Sequence, residues 1–169
     1  MRILAGRFKG QSIATSRKLH YRPTQTRIRK SIFDRLNPYR YETVLDLFAG
    51  SGIMGFEAAS RGARAVTLVE KDKRSLVLLK ENAKKFQGVD FQYIYRDAIR
   101  FLETENDFDL IFVDPPYGRY ALDGMVKTIL DRLHKKGKFV LECAASQQPY
   151  PDASSVSFGD TRILIWTKE

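Results

Sequence analysis

From Thr43 onward the chain alternates short β-branched runs with segments whose apolar residues recur at three- and four-residue spacing. This alternation limits the fold more than any other feature. Parallel strands need a crossover between them, and a crossover helix must bury its apolar stripe on the sheet. The strand candidates are 43–48, 65–69, 91–95, 110–113, 138–143 and 161–167. Segments 53–61, 73–86, 98–104 and 121–134 read as helices, and Leu76, Leu79, Ala83 and Phe86 mark the stripe of the second. Gly62 and Gly88 stand where two of these helices should stop. The last two strands are joined by a stretch containing Gln147-Gln148-Pro149-Tyr150-Pro151-Asp152, too short and proline-rich for a good crossover helix. The final strand is therefore expected to run antiparallel or to follow an abbreviated connection.

The first forty residues differ in kind. Ile3-Leu4-Ala5-Gly6 and Phe8-Lys9-Gly10-Gln11-Ser12-Ile13 predict a small hairpin. Thr24 is the expected cap of a helix striped by Ile28, Ile32, Phe33 and Leu36, with Arg27, Arg29, Lys30 and Arg35 placed away from the stripe's centre. This segment holds eleven Lys and Arg against one acid and carries +10, while the remaining 18 bases and 19 acids carry −1. A basic arm (1–40) on a near-neutral domain (41–169) fits a polyanionic partner, nucleic acid first, since Lys and Arg displace counterions condensed on phosphates. A basic surface kept for solubility or for an acidic protein is the competing reading. With 169 residues, one core plus an appendage is expected.

No apolar run approaches the roughly 20 residues of a membrane span, and no secretory signal opens the chain, so the expected location is the cytoplasm. Cys143 lies in the apolar run 139–143 and reads as a buried thiol. His20 and His134 have no partners at metal-ligand spacing, so no metal is expected.

Asp46-Leu47-Phe48-Ala49-Gly50-Ser51-Gly52 follows the first strand and opens a helix, so its glycines let backbone turn sharply against a ligand. Gly50, Gly52 and Gly55 also satisfy the dinucleotide pattern G-x-G-x-x-G, and Glu70 ends the next strand where a ribose-binding acid would stand. Charge favours another ligand. S-adenosylmethionine brings a sulfonium and an ammonium and no phosphate, so Asp46 would attract it and disfavour a pyrophosphate. Glu70 can accept from both ribose hydroxyls, and Asp97 is placed either to meet the adenine amine or to cap the helix that follows it. The candidate cofactor residues are Asp46, Phe48, Ala49, Gly50, Gly52, Glu70, Lys71, Asp97 and Ala98, in a Rossmann-like α/β fold whose sheet is mostly parallel with an antiparallel last strand.

After Leu110-Ile111-Phe112-Val113 comes Asp114-Pro115-Pro116-Tyr117, at the strand end where open α/β sheets bind ligands. The prolines fix the backbone and leave carbonyls outward. A base amine is a poor nucleophile because its lone pair is delocalised into the ring. Two acceptors on its N–H groups, the Asp114 carboxylate and the Pro115 carbonyl, would turn that pair toward a methyl donor, with Tyr117 stacked on a base taken out of its helix. The expected chemistry is amine methylation, with Asp114, Pro115, Pro116 and Tyr117 as the catalytic loop.

These blocks together resemble the RsmD-type bacterial rRNA methyltransferases over nearly the whole chain. The resemblance rests on Arg2-Ile3-Leu4-Ala5-Gly6, Phe8-Lys9-Gly10, Arg22-Pro23-Thr24 with Arg27 and Arg29, and Asp46 to Gly52. It continues through Ser60-Arg61-Gly62-Ala63, Val69-Glu70-Lys71-Asp72, Asp114 to Tyr117 and Gly159-Asp160-Thr161. It implies methylation of the 2-amino group of a guanine in 16S rRNA, in a 30S subunit or its assembly intermediate, by a monomer. The arm residues expected to meet RNA are Arg2, Arg7, Lys9, Arg22, Thr24, Arg27, Arg29 and Lys30, while Thr24 and Arg27 could instead line the cofactor pocket. The stretch 144–156 is shorter than in the resembled family. Two other classes compete: a DNA adenine or protein glutamine methyltransferase with the same loop, and a non-catalytic RNA-binding module. Asp rather than Asn at 114 counts against the glutamine enzymes, and 169 residues leave little room for a DNA target-recognition region.

Overall fold

The computed structural model describes residues 1–16, 24–104, 107–116, 118–148 and 150–169, so Arg22 and Tyr117 lie outside the described residues. Twelve elements follow in chain order among the described residues: α1 (Thr26–Arg35), β1 (Thr43–Asp46), α2 (Ile53–Ser60), β2 (Ala65–Glu70), α3 (Lys73–Ala83), β3 (Asp90–Tyr95), α4 (Ala98–Leu102), β4 (Phe108–Val113), α5 (Leu122–Asp131), β5 (Leu133–Ala144), β6 (Ser154–Phe158) and β7 (Thr161–Thr167). The strands form one sheet in the order β3-β2-β1-β4-β5-β7-β6. The pairs among the first five strands are parallel and β7, the expected antiparallel last strand, is antiparallel to both neighbours. Strand β6 was not foreseen. Its run Ser154-Ser155-Val156-Ser157-Phe158 is mostly polar because it is an edge strand with only one neighbour, and it pairs with β7 across the tight turn at Gly159, φ +58°.

Side-chain alternation divides the core into two layers. Val44, Val66, Leu68, Leu110, Phe112 and Val140 face a layer closed by α1, α2 and α3. Leu45, Val69, Ile111, Val113, Phe139 and Leu141 face the layer beneath α4 and α5. Helix α2 is buried at every position, which a helix covered only by a sheet cannot be. Its outer side is covered by the N-terminal segment: Ile3, Ile13, Ile28, Ile32, Phe33 and Leu36 belong to the same core cluster as Phe56 and Ala59. In place of a regular hairpin, residues 1–13 make a single antiparallel bridge, Arg2 with Ser12, within a loop stitched by Ile3, Gly10 and Ile13 backbone bonds. Gly6, φ +85°, approaches α2 so closely that a Cβ there would stand 1.9 Å from the Ser60 carbonyl oxygen. Helix α1 starts at Thr26 with Gln25 at its cap and no side-chain cap bond, so Thr24 does not have the capping role expected of it.

Candidate active site

The chain runs outward through β2 and β3 and then returns to β4 on the other side of β1, so the connections leaving β1 and β4 diverge. A crevice at the carboxyl ends of these strands is the result. It holds a cavity of about 340 Å³. Four neighbouring strands each deliver one carboxylate to it: Glu70 from β2, Asp46 from β1, Asp114 just beyond β4 and Glu142 from β5. All four continue the residue parity of Val66, Val44, Phe112 and Val140, so they share the α1–α3 side of the sheet.

The glycine loop is held by its neighbours. Leu47 N–H donates to the Phe112 carbonyl and Ala49 N–H to the Val69 carbonyl, each at 3.0 Å. Gly50 N–H donates to Glu70 Oε2 at 2.9 Å, and Asp72 N–H donates to Glu70 Oε1 at 2.8 Å. Two amides thus fix the Glu70 carboxylate, which has about four acceptor directions and keeps capacity for a pair of hydroxyls. Gly52, φ +75°, begins α2. A Cβ there would meet Leu79 Cδ2 at 2.5 Å and the Phe56 ring at 2.7 Å, so Gly52 shapes the loop while Asp46, Phe48, Ala49, Gly50 and Ser51 line the cavity.

Asp46 is 5% exposed and accepts from Gly55 N–H at 3.1 Å through Oδ2. Burial pushes its carboxyl up to about 7, opposed by the Gly55 N–H and reinforced by Glu70. A cation lodged beside it would favour the ionised form.

At the other side of the loop, Lys71, Arg96, Ala98 and Tyr120 complete the wall. The Tyr120 ring meets Phe48 edge-on at 5.1 Å, its hydroxyl donates to Asp97 Oδ2 at 3.2 Å, and Lys71 Nζ donates to that hydroxyl at 3.4 Å. Asp97 Oδ1 accepts from Ile99 N–H at 2.9 Å and caps α4. The helix-capping alternative for Asp97 is thus realised, and the cavity wall passes through its neighbours Arg96 and Ala98. Past β4, Asp114 is half-buried, Pro115 buried and Pro116 exposed, all three on the cavity.

Apolar side chains line the same cavity, Ile32, Met54, Phe112 and Val140 among them, together with Thr24 and Glu142. Thr24 is buried against the cavity, whereas Arg27 lies outside it, exposed, its guanidinium 5.4 Å from the Phe158 ring. The arm therefore closes the cavity as well as presenting charge.

One arm residue is not where it was expected. Arg29 is 1% exposed, so it is not a surface contact for phosphate. It falls four residues before Phe33 and seven before Leu36, which puts it on the buried side of α1. Its Nη2 donates to the Arg2 carbonyl at 2.6 Å, and its Nε stands 3.5 Å from Glu57 Oε2. Glu57 is fully buried and also accepts from Leu4 N–H at 2.8 Å, Ala5 N–H at 3.1 Å and Arg61 Nη2 at 2.9 Å. Arg2, Arg7, Lys9, Arg27 and Lys30 are exposed, with Lys30 paired to Asp34 at 2.6 Å and Arg7 over the Phe8 ring. Cys143 is buried, and burial raises its thiol to about 11.

Sequence reasoning missed Glu142, Arg96 and Tyr120 in the cavity, and Glu57 beneath the arm. For Glu142 the signal was present: an acid in the otherwise apolar run 139–143, in phase with Val140.

The profile of the family described as conserved hypothetical protein 95 matches residues 1–162. The chain is 36% identical over 137 residues to ribosomal RNA small subunit methyltransferase D of Buchnera aphidicola subsp. Acyrthosiphon pisum, covering 79% of this chain and 70% of that protein. It is 32% identical over 133 residues to ribosomal RNA small subunit methyltransferase D of Escherichia coli K12, covering 78% and 67%. Its fold superimposes on the solved structure of the Escherichia coli protein yhhF with a TM-score of 0.87 at 27% identity, covering 100% of this chain and 98% of that one.

Proposed function

The chain belongs to the family described as conserved hypothetical protein 95, the RsmD family, and from that premise we propose that it methylates the exocyclic 2-amino group of a guanine in 16S rRNA, with S-adenosylmethionine as methyl donor. The observation that carries this reading is the set of carboxylates, Asp46, Glu70, Asp114 and Glu142, that share one cavity with the glycine loop and Pro115-Pro116. A buried acid at Asp46, with its carboxyl raised by desolvation, suits a ligand that is cationic and carries no phosphate. Glu70, held by two amides, suits a ribose diol. When bound, S-adenosylmethionine supplies a methyl group made electrophilic by its sulfonium.

The chain's own residues do the rest. Asp114 and the Pro115 carbonyl accept from the two N–H groups of the target amine, which turns its lone pair toward the methyl. The Asp114 carboxylate stabilises the positive charge that grows on nitrogen and then takes one proton from it. Tyr117 stacks on the base, and the exposed arm cations, with Arg22, hold the surrounding phosphates. The partner is rRNA in the small subunit or an assembly intermediate, met by a monomer in the cytoplasm.

The test is transfer of labelled methyl to 30S particles, naked 16S rRNA, DNA and protein in parallel. Label is expected at a guanine 2-amino group in 16S rRNA. Label in DNA or protein alone would refute the proposal.

A further inference from the structure

Of the four carboxylates on the cavity, the mechanism above uses three. The fourth, Glu142, is 7% exposed and lines the cavity together with apolar side chains and with Thr24 and Ile32 of the arm. Strands β4 and β5 are parallel with Val113 opposite Leu141, so the next rung sets Asp114 beside Glu142. Adjacent strands lie about 4.8 Å apart. Two acids one strand spacing apart therefore open onto a cavity whose lining also includes Ile32, Met54, Phe112 and Val140. Apolar walls suit the faces of a planar base, and acids at one side suit an edge that donates.

The edge chemistry is selective. Adenine and cytosine each place a ring-nitrogen acceptor next to the amine on the Watson–Crick edge. Guanine places the N1–H donor next to its 2-amino group. A carboxylate beside Asp114 completes a hydrogen bond with guanine and confronts a lone pair with the other two, which leaves a buried charge opposed by an acceptor. An ionised carboxylate has about four acceptor directions, enough to serve a partner within the protein and a base together.

Resting on the methyltransferase reading above, we propose that Glu142 is the specificity-determining residue for guanine: it accepts the N1–H of the target base while Asp114 and the Pro115 carbonyl hold the 2-amino group.

The probe that separates these roles is 2-aminopurine, which keeps the 2-amino group and has an acceptor at N1. Once wild-type protein has labelled a guanine, 16S rRNA carrying guanine or 2-aminopurine at that position is assembled into 30S particles. Initial rates are then compared for wild type and Glu142→Gln. The glutamine amide can turn its NH2 toward an unprotonated N1. The expected result is that E142Q lowers kcat/KM on guanine by about tenfold or more and narrows the preference for guanine over 2-aminopurine by at least as much, since one such base contact discriminates on that scale. S-adenosylmethionine affinity should be unchanged. Equal losses on both bases would overturn the proposal in favour of a structural role, and weaker cofactor binding with the preference intact would overturn it in favour of a cofactor contact. If E142Q does not fold, Glu142→Asp carries the test: withdrawing the acceptor by one methylene should lower kcat/KM on guanine, and unchanged kcat/KM would overturn the proposal. Wild-type protein that labels no rRNA guanine would instead refute the methyltransferase reading, and this inference with it.

Discussion

Asp46 makes the cofactor proposal testable through protons. Its carboxyl is moved from 3.8 to about 7, chiefly by desolvation, with Glu70 adding to the rise and the Gly55 N–H opposing it. At about 1.36 kcal/mol per pKa unit, ionising Asp46 in the folded, ligand-free protein costs up to about 4 kcal/mol. The folded state holds the proton between pH 4 and 7 while the unfolded chain has released it. Stability is therefore lost as pH rises through that window, and the full penalty is present above pH 7. A sulfonium and an ammonium beside Asp46 require the carboxylate, so binding below pH 7 must release a proton. With an apo value near 7, S-adenosylmethionine affinity should weaken roughly eightfold from pH 7.5 to pH 6. Calorimetric titration in two buffers of different ionisation enthalpy should find close to one proton released at pH 6. Glu70, Asp114 and Glu142 face the same cavity, so Asp46→Asn is the control: it should flatten the pH dependence and weaken binding at pH 7.5. The same substitution should stabilise the ligand-free protein at pH 8, and a gain of about 2 kcal/mol would raise Tm by roughly 4–8 °C. Flat wild-type affinity with no proton release would refute the assignment of Asp46 to the cofactor's cations.

Four further outcomes follow from the geometry. Asp114→Ala should abolish methyl transfer while S-adenosylmethionine still binds, as measured by turnover beside calorimetry; retained turnover would refute the acceptor role. Glu57→Gln removes the anion that faces Arg29 and Arg61 in the core and should destabilise the fold by about 3 kcal/mol, read as a fall in the urea midpoint. Gly6→Ala forces a side chain against the Ser60 carbonyl at positive φ and should cost at least about 2 kcal/mol by thermal melting. Neutralising exposed Arg27 and Lys30 together should weaken rRNA binding and reduce the slope of log K against log salt by about 1.5, with cofactor affinity unchanged; Arg29, being buried, should affect melting instead.

Residues that act through local chemistry were readable in the sequence. The alternation after Thr43 gave all the strands of that region but β6 and its helices, the antiparallel last strand was expected and is made by the turn at Gly159, and Gly50 to Gly52 after β1 gave a glycine loop that lines the cavity in part. Asp114-Pro115-Pro116 stands at the end of β4 on the cavity for the same reason. Less legible was anything that depended on a neighbour distant in sequence. Arg29 looked like one cation among several on a basic helix, because nothing local announces that Glu57 waits in the core opposite it. Asp97 fitted two jobs equally well, and the capping bond to the Ile99 amide and the Tyr120 hydroxyl beside it became visible only in the structure. The edge strand β6 was hidden by its serines, which are tolerated because one of its sides has no partner strand.

The periodic pattern of apolar residues, the turn-forming glycines and the fixed prolines determined by themselves that this chain folds as a mostly parallel sheet with a glycine loop and a proline-fixed loop at its strand ends. Periodicity and turn chemistry are local, so one chain displays them. Only the tertiary structure decided that the basic arm is also part of the core, sealing the all-buried helix α2 and bringing Thr24 and Ile32 to the cavity. It alone brought Asp114 and Glu142 to one cavity, because sheet register sets the ends of β4 and β5, far apart along the chain, side by side.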